Sequence, residues 1–162
     1  MTTPDAVKAI LDCNGGRMVG RTRLQKSAYF LEAAGVGDGF DFSYHYYGPY
    51  SEDLAVAASD ANALGLIHTS WESSQAGLSY AVYEASRPKT LGVDGKTARR
   101  EEILRILAGY DAISLELAAT AHYLAKNGYK ADPWEETRRR KSMKATGDRV
   151  AKAKRLLNEL AI

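Results

Sequence analysis

The sequence predicts an α+β fold that is mainly α with a small β component. A winged-helix-like N-terminal half (helix, helix, strand, helix, β-hairpin) precedes a helical C-terminal half of about four helices. Three observations carry that prediction. Apolar residues recur at helical spacing before residue 65 and after residue 98, residues 40–47 and 67–83 hold runs that alternate with period two, and turns bearing glycine or proline separate these segments. With 162 residues, 45% of them hydrophobic and 26% charged, the chain suits a single domain over 1–162. The winged-helix-like half spans 1–85, and the helical half, 98–162, packs on it.

Thr3 and Pro4 supply an N-cap and a first helical residue, and Ala6, Val7, Ile10 and Leu11 keep helical spacing until Asn14-Gly15-Gly16. Thr22 with Gln25 three residues on has the capping-box form, and Leu24, Ala28 and Leu31 line one face of a second helix before Gly35. Phe40, Phe42, Tyr44 and Tyr46 alternate with Asp41, Ser43, His45 and Tyr47, which predicts a half-buried strand ending in a Gly48-Pro49 turn. Ser51 caps a third helix, with Glu52 and Asp53 at its positive end and Leu54, Ala58, Ala61 and Leu64 facing inward up to Gly65. Alternation over 67–72 and 78–83 predicts an antiparallel hairpin turning across 73–77. Residues 86–97, with Pro88, Gly92 and Gly95, form a linker. Four helices follow. Ile103, Leu104, Ile106 and Leu107 mark the first, Ile113, Leu117, Ala121 and Leu124 the second. Asp132 and Pro133 open the third as cap and first residue, and Thr146 caps the last, whose stripe is Val150, Ala153, Leu157 and Leu160.

Composition removes several function classes. The longest strictly apolar run is five residues, 54–58, far short of the roughly 20 of a membrane span or the roughly 7–15 of a signal-peptide core. A cytoplasmic protein without membrane contact is expected. A single cysteine, Cys13, excludes an internal disulfide and a Cys-rich zinc site, and reads as a small buried hydrophobe. His45, His68 and His122 have no i,i+4 pairing, so no metal site is expected. The glycines at 35, 37 and 39 follow a helix and precede a strand, the reverse of a phosphate-binding turn. No nucleophile elbow, P-loop lysine or carboxylate pair stands out, so the chain reads as non-enzymatic, with no catalytic residue and no cofactor.

The net charge of +2 conceals two unlike halves. Residues 1–88 carry six Lys and Arg against ten Asp and Glu, a net of −4, and residues 89–162 carry sixteen against ten, a net of +6. The densest basic run is Arg138, Arg139, Arg140, Lys141 and Lys144, which fits a solvated helix end or a surface for phosphate or an acidic partner. Winged-helix order suggests a DNA-binding regulator whose third helix enters the major groove. That helix, however, carries Glu52, Asp53 and Asp60 and no basic residue, and the hairpin tip has no positive charge. Nucleic acid would instead have to meet Arg17, Arg21, Arg23 and Lys26 around the second helix, or the C-terminal run. Four of the ten tyrosines fall within 44–50. Tyrosine combines rigid contact area with a hydrogen-bonding tip, and Tyr47 and Tyr50, on the other face of the strand or in its turn, are the better candidates for a protein contact.

A family resemblance enters at these residues. Arg23-Leu24-Gln25-Lys26-Ser27-Ala28-Tyr29-Phe30 resembles the K-L-Q-K-x-x-Y-F helix of the Panacea domain, the SocA-like antitoxin family of bacteria, archaea and phages. Tyr47-Gly48-Pro49 is similar to that family's Tyr-Gly-Pro turn, and residues 117–122 ending in His122, followed by Pro133-Trp134, are similar to its late His…Pro-Trp signature. The three pieces span about 22–136. Arg23 in place of lysine, Ser27 in place of leucine, Tyr50 after the proline and the long gap from His122 to Pro133 mark a divergent branch. The resemblance implies a mostly helical domain that neutralises a co-encoded toxin by direct binding. It makes Arg23, Gln25, Lys26, Tyr47, Gly48, Pro49 and Tyr50 candidates for the partner contact, with Gln25 equally suited to completing its capping box. His122, Pro133 and Trp134 are expected to hold the helical half together.

Overall fold

The computed structural model describes residues 3–89 and 94–162, so part of the expected 86–97 linker, Gly92 included, lies outside the described residues. The first helix, α1 (Thr3–Cys13), buries Ala6, Val7, Ile10 and Leu11 as their spacing requires. It ends where Gly15 and Gly16 take φ of 73° and 85°, left-handed values that side chains resist. Next comes β1 (Arg17–Val19), which the sequence did not predict because three residues are too few for an alternation to register. Pairing defines it instead: Arg17 lies opposite Glu84, Met18 opposite Tyr83 and Val19 opposite Val82.

Helix α2 (Arg21–Ala33) departs from expectation at its start. Its N-cap is Gly20 and no side chain caps it, so the Thr22–Gln25 capping box does not form. The strand predicted over 40–47 is also corrected. Only β2 (Ser43–His45) is extended, and it pairs with β3 (Gly48–Tyr50) in a two-stranded ribbon. Tyr46 and Tyr47 make the turn, while Gly48 and Pro49 lie in the returning strand, opposite His45 and Tyr44. Proline has no N–H to donate, which suits so short a ribbon. Phe40 and Phe42 leave the pairing and pack on the core; Phe42 meets Tyr29 edge-on at 5.4 Å.

Helix α3 (Glu52–Ala63) starts at Ser51, whose hydroxyl accepts from the Leu54 N–H at 3.1 Å. The hairpin of β4 (Ile67–Ser73) and β5 (Ser79–Ala85) keeps one register from Ile67 opposite Ala85 to Ser73 opposite Ser79. The sheet order is β1-β5-β4, the winged-helix arrangement, with the ribbon inserted between α2 and α3.

Four helices complete the described chain: α4 (Gly95–Ala108), α5 (Ala112–Lys126), α6 (Pro133–Arg140) and α7 (Gly147–Leu160). Asp94, Asp111 and Asp132 each cap with a side-chain carboxylate, whereas Thr146 stands at the N-cap of α7 without a side-chain bond. Helix α5 is apolar on most of its circumference and packs on α2, β3, α6 and α7. One continuous buried cluster runs from Ala6 to Leu160, so the two halves share a core. Cys13 is only half-buried at its margin. Among the described residues no helix is long and apolar enough to cross a membrane.

Candidate functional site

Behind the tyrosine ribbon lies a set of buried polar contacts, and the residues expected to meet a partner supply most of them. Arg23 donates to the carbonyls of Leu107 (2.9 Å), in the last turn of α4, and Tyr110 (2.6 Å), in the turn that follows it. Gln25 accepts from the Ser51 N–H at 2.8 Å and donates to the Ser51 carbonyl at 3.0 Å. Lys26 is 1% exposed, and its Nζ donates to the Pro49 carbonyl at 2.7 Å. Gly48 is buried at φ 87°, where a side chain would collide with Thr120 Oγ1 on α5. Gln25, Lys26, Gly48 and Pro49 are thus buried rather than presented to solvent, and Arg23 is half-buried. The reason is physical: a buried amide or ammonium is tolerated only where it finds a partner, and chain reversals at β3 and α3 leave backbone groups to be matched. His122, expected to hold the helical half together, instead ties α5 to the winged-helix-like half: its Nδ1 lies 2.6 Å from Tyr29 Oη on α2. The three pieces of the motif resemblance are therefore joined in space, Lys26 to Pro49 and Tyr29 to His122.

Burial pushes the Lys26 ammonium down to about 8, with Glu116 opposing the shift and Lys141 and Lys144 adding to it. Burial also holds His122 below the usual histidine range, aided by Lys126.

Of the C-terminal basic run, Lys141 is buried and Lys144 half-buried, whereas Arg138, Arg139 and Arg140 are exposed. Glu116, 2% exposed on α5, accepts from Lys141 at 3.2 Å and from Lys144 at 2.9 Å. Lys141 also donates to the Tyr46 carbonyl, and the Lys144 ammonium lies 4.8 Å from the Tyr47 ring centre. The Arg140 guanidinium stacks on Tyr44 (4.7 Å) and Tyr129 (5.2 Å), while Arg139 pairs with Glu136 at 3.2 Å. Arg138 stays exposed, and so do Arg17 on β1 and Arg21 at the start of α2. Pro133 is the first residue of α6, and half-buried Trp134 packs on the core beneath Lys154.

A groove of about 500 Å³ between α2, α3, β4 and the ribbon turn is open to solvent. Tyr47 (57% exposed), Tyr50 and Trp71 (58% exposed) line it, with Ser59, Asn62 and Thr69 as polar wall. Its aromatic edge follows from strand parity. Ile67, Thr69 and Trp71 share one face of β4, and exposure rises along it from 1% at Ile67 because the hairpin runs out past its helical cover. Arg21 lies 5.4 Å over the Trp71 ring, and Asn62 Oδ1 accepts from the Thr69 N–H at 2.9 Å, tying α3 to the strand. Rigid aromatic area with fixed hydrogen-bonding groups suits the capture of another chain. Sequence reasoning found Tyr47 and Tyr50 but missed Trp71, Asn62 and the hub Glu116. The alternation of β4 was the available signal for Trp71.

No protein-family model matches the chain. A 55-residue stretch is 33% identical to the uncharacterized protein YwgA of Bacillus subtilis (strain 168), covering 34% of this chain and 33% of that protein. The match thus spans about a third of the curated relative's length.

Proposed function

We propose that this chain is a non-enzymatic protein-interaction module that binds and neutralises a co-encoded partner, as the antitoxins of the Panacea family do. The observation that carries the proposal is the open groove, edged by Tyr47 and Trp71, each more than half exposed. Exposed aromatics at the rim of a preformed groove are the usual anchors of protein contacts. The antitoxin class rests on the motif resemblance, whose residues form the framework behind that groove.

A tagged pull-down from the native host, with and without nuclease, identifies the partner. One stoichiometric protein that survives nuclease is the expected result. Tyr47→Ala combined with Trp71→Ala should then weaken its binding by about 100-fold or more, the scale of two lost anchors. The thermal midpoint should move by no more than a few degrees. A collapse in stability would show that these rings serve the core instead.

The winged-helix strand order favours a second reading, a DNA-binding regulator. It requires log affinity for duplex DNA to fall with log salt at about −0.9 per phosphate contact. A flat dependence removes it.

A further inference from the structure

We infer that the groove takes an acidic segment of a partner protein: an aromatic or aliphatic side chain seats between Tyr47 and Trp71, and a neighbouring aspartate or glutamate meets the Arg21 guanidinium. This deepens, and rests on, the reading of the groove as a protein-binding site. The lining is the argument. No aspartate or glutamate is among the described residues that line the groove, whose charged side chains are Arg21 and Lys26. Lys26 is enclosed on the Pro49 carbonyl, so Arg21 is the charge that an occupant meets. Arg21 is exposed at the start of α2, its guanidinium carbon 5.4 Å from the Trp71 ring centre. A guanidinium held against a ring keeps its N–H donors in a planar fork that matches a carboxylate. Among the described residues those donors meet no acceptor.

The neutral polar groups point the same way. Gln25 is spent on the two backbone groups of Ser51. Asn62 turns its Oδ1 to the Thr69 N–H at 2.9 Å, which leaves the donating end of its amide for an occupant. The indole N–H of Trp71 can only donate, while the hydroxyls of Ser59 and Thr69 serve either way. The groove therefore offers a cation and unspent donors beside exposed rings, and a carboxylate next to an apolar side chain answers both. Glu52, Asp53 and Asp60 stand exposed on α3 but outside the lining. They limit the occupant rather than attract it. Charges outside the lining are screened by salt, so they do not undo one carboxylate in contact with Arg21, but a long acidic tract or a phosphate backbone would meet them. The segment is thus one with an isolated acid, not a polyanion.

The test selects a phage-displayed library of random 12-residue peptides on the intact protein and on Tyr47→Ala/Trp71→Ala. Circular dichroism first confirms that this variant and Arg21→Gln are folded. The expected result is enrichment of peptides that place an aspartate or glutamate beside an aromatic or aliphatic residue, lost in the aromatic variant. Neutralising that acid in a selected peptide, to asparagine or glutamine, should weaken binding to the intact protein at least about tenfold and leave binding to Arg21→Gln nearly unchanged, the signature of a direct pair. Aromatic-dependent enrichment of peptides with no acid, or with an acid that can be neutralised without loss, overturns the charge inference and leaves the groove reading standing. So does an acid whose neutralisation costs as much on Arg21→Gln as on the intact protein. No aromatic-dependent enrichment overturns both.

Discussion

Lys26 shows how one buried side chain sets a measurable property of the molecule. Its ammonium is enclosed and bonded to the Pro49 carbonyl, and enclosure pushes it down to about 8. In the unfolded chain a lysine holds its proton up to about 10.4. Between these two values the unfolded state binds more proton than the folded one, so stability rises as pH rises through that window. Urea denaturation should show a gain of about 2 kcal/mol from pH 7.5 to 9.5 attributable to this group. Lys26→Met should remove that gain. An unchanged slope in the variant would show that the buried ammonium is not its source. Gly48 is a second residue whose identity is forced: its φ of 87° and its close approach to Thr120 leave no room for a side chain where β3 seats on α5.

Between elements, the angle of α2 to α3 is fixed by Gln25 and Ser51. Gln25 satisfies both backbone groups of Ser51, and the Ser51 hydroxyl separately caps α3. The two side chains therefore have unequal weight. Gln25→Ala leaves the buried Ser51 N–H unmatched, while the Ser51 carbonyl keeps the Ala55 N–H at 3.2 Å, and should cost about 2 kcal/mol, whereas Ser51→Ala loses only the cap, about 1 kcal/mol. Chemical denaturation of the two variants checks the order; a reversed order would place the junction's strength in the cap. This contrast also shows what the sequence could reveal. Helices with a broad apolar face, and caps followed directly by a helical run such as Ser51 and Asp132, were legible because their signals are local. The hairpin was legible for the same reason, as was Tyr47 as a surface residue, whereas Tyr50 is half-buried in β3. Strand β1 was not, since β5 defines it, and neither was the ribbon, whose alternating aromatics split between strand, turn and core. Gln25 and Lys26 looked like surface groups beside an apolar stripe because nothing local reveals that Ser51 and Pro49 will face them with unmatched backbone groups.

At the scale of the whole molecule, the acidic and basic halves are joined through α5, which packs on α2 and β3 on one side and on α6 and α7 on the other. Glu116 adds an electrostatic tie, since it holds Lys141, and Lys141 in turn holds the Tyr46 carbonyl at the ribbon turn. A buried charge deprived of its partner costs several kcal/mol, so opening the helical half would expose the ribbon to that penalty as well as to lost apolar burial. The halves should therefore unfold together. The chain carries one tryptophan in each, Trp71 on β4 and Trp134 on α6, which makes the test direct. In Trp134→Phe the fluorescence reports the wing, and in Trp71→Phe it reports the helical half. Each variant's fluorescence transition in urea should coincide with its own far-UV circular dichroism transition, as two-state unfolding requires. If the wing signal instead moves at lower urea than the helix signal within one variant, the groove sits on a unit that opens independently. The Tyr47 and Trp71 edges would then not be held at a fixed separation before a partner arrives, and the preformed character on which the proposed recognition depends would be lost.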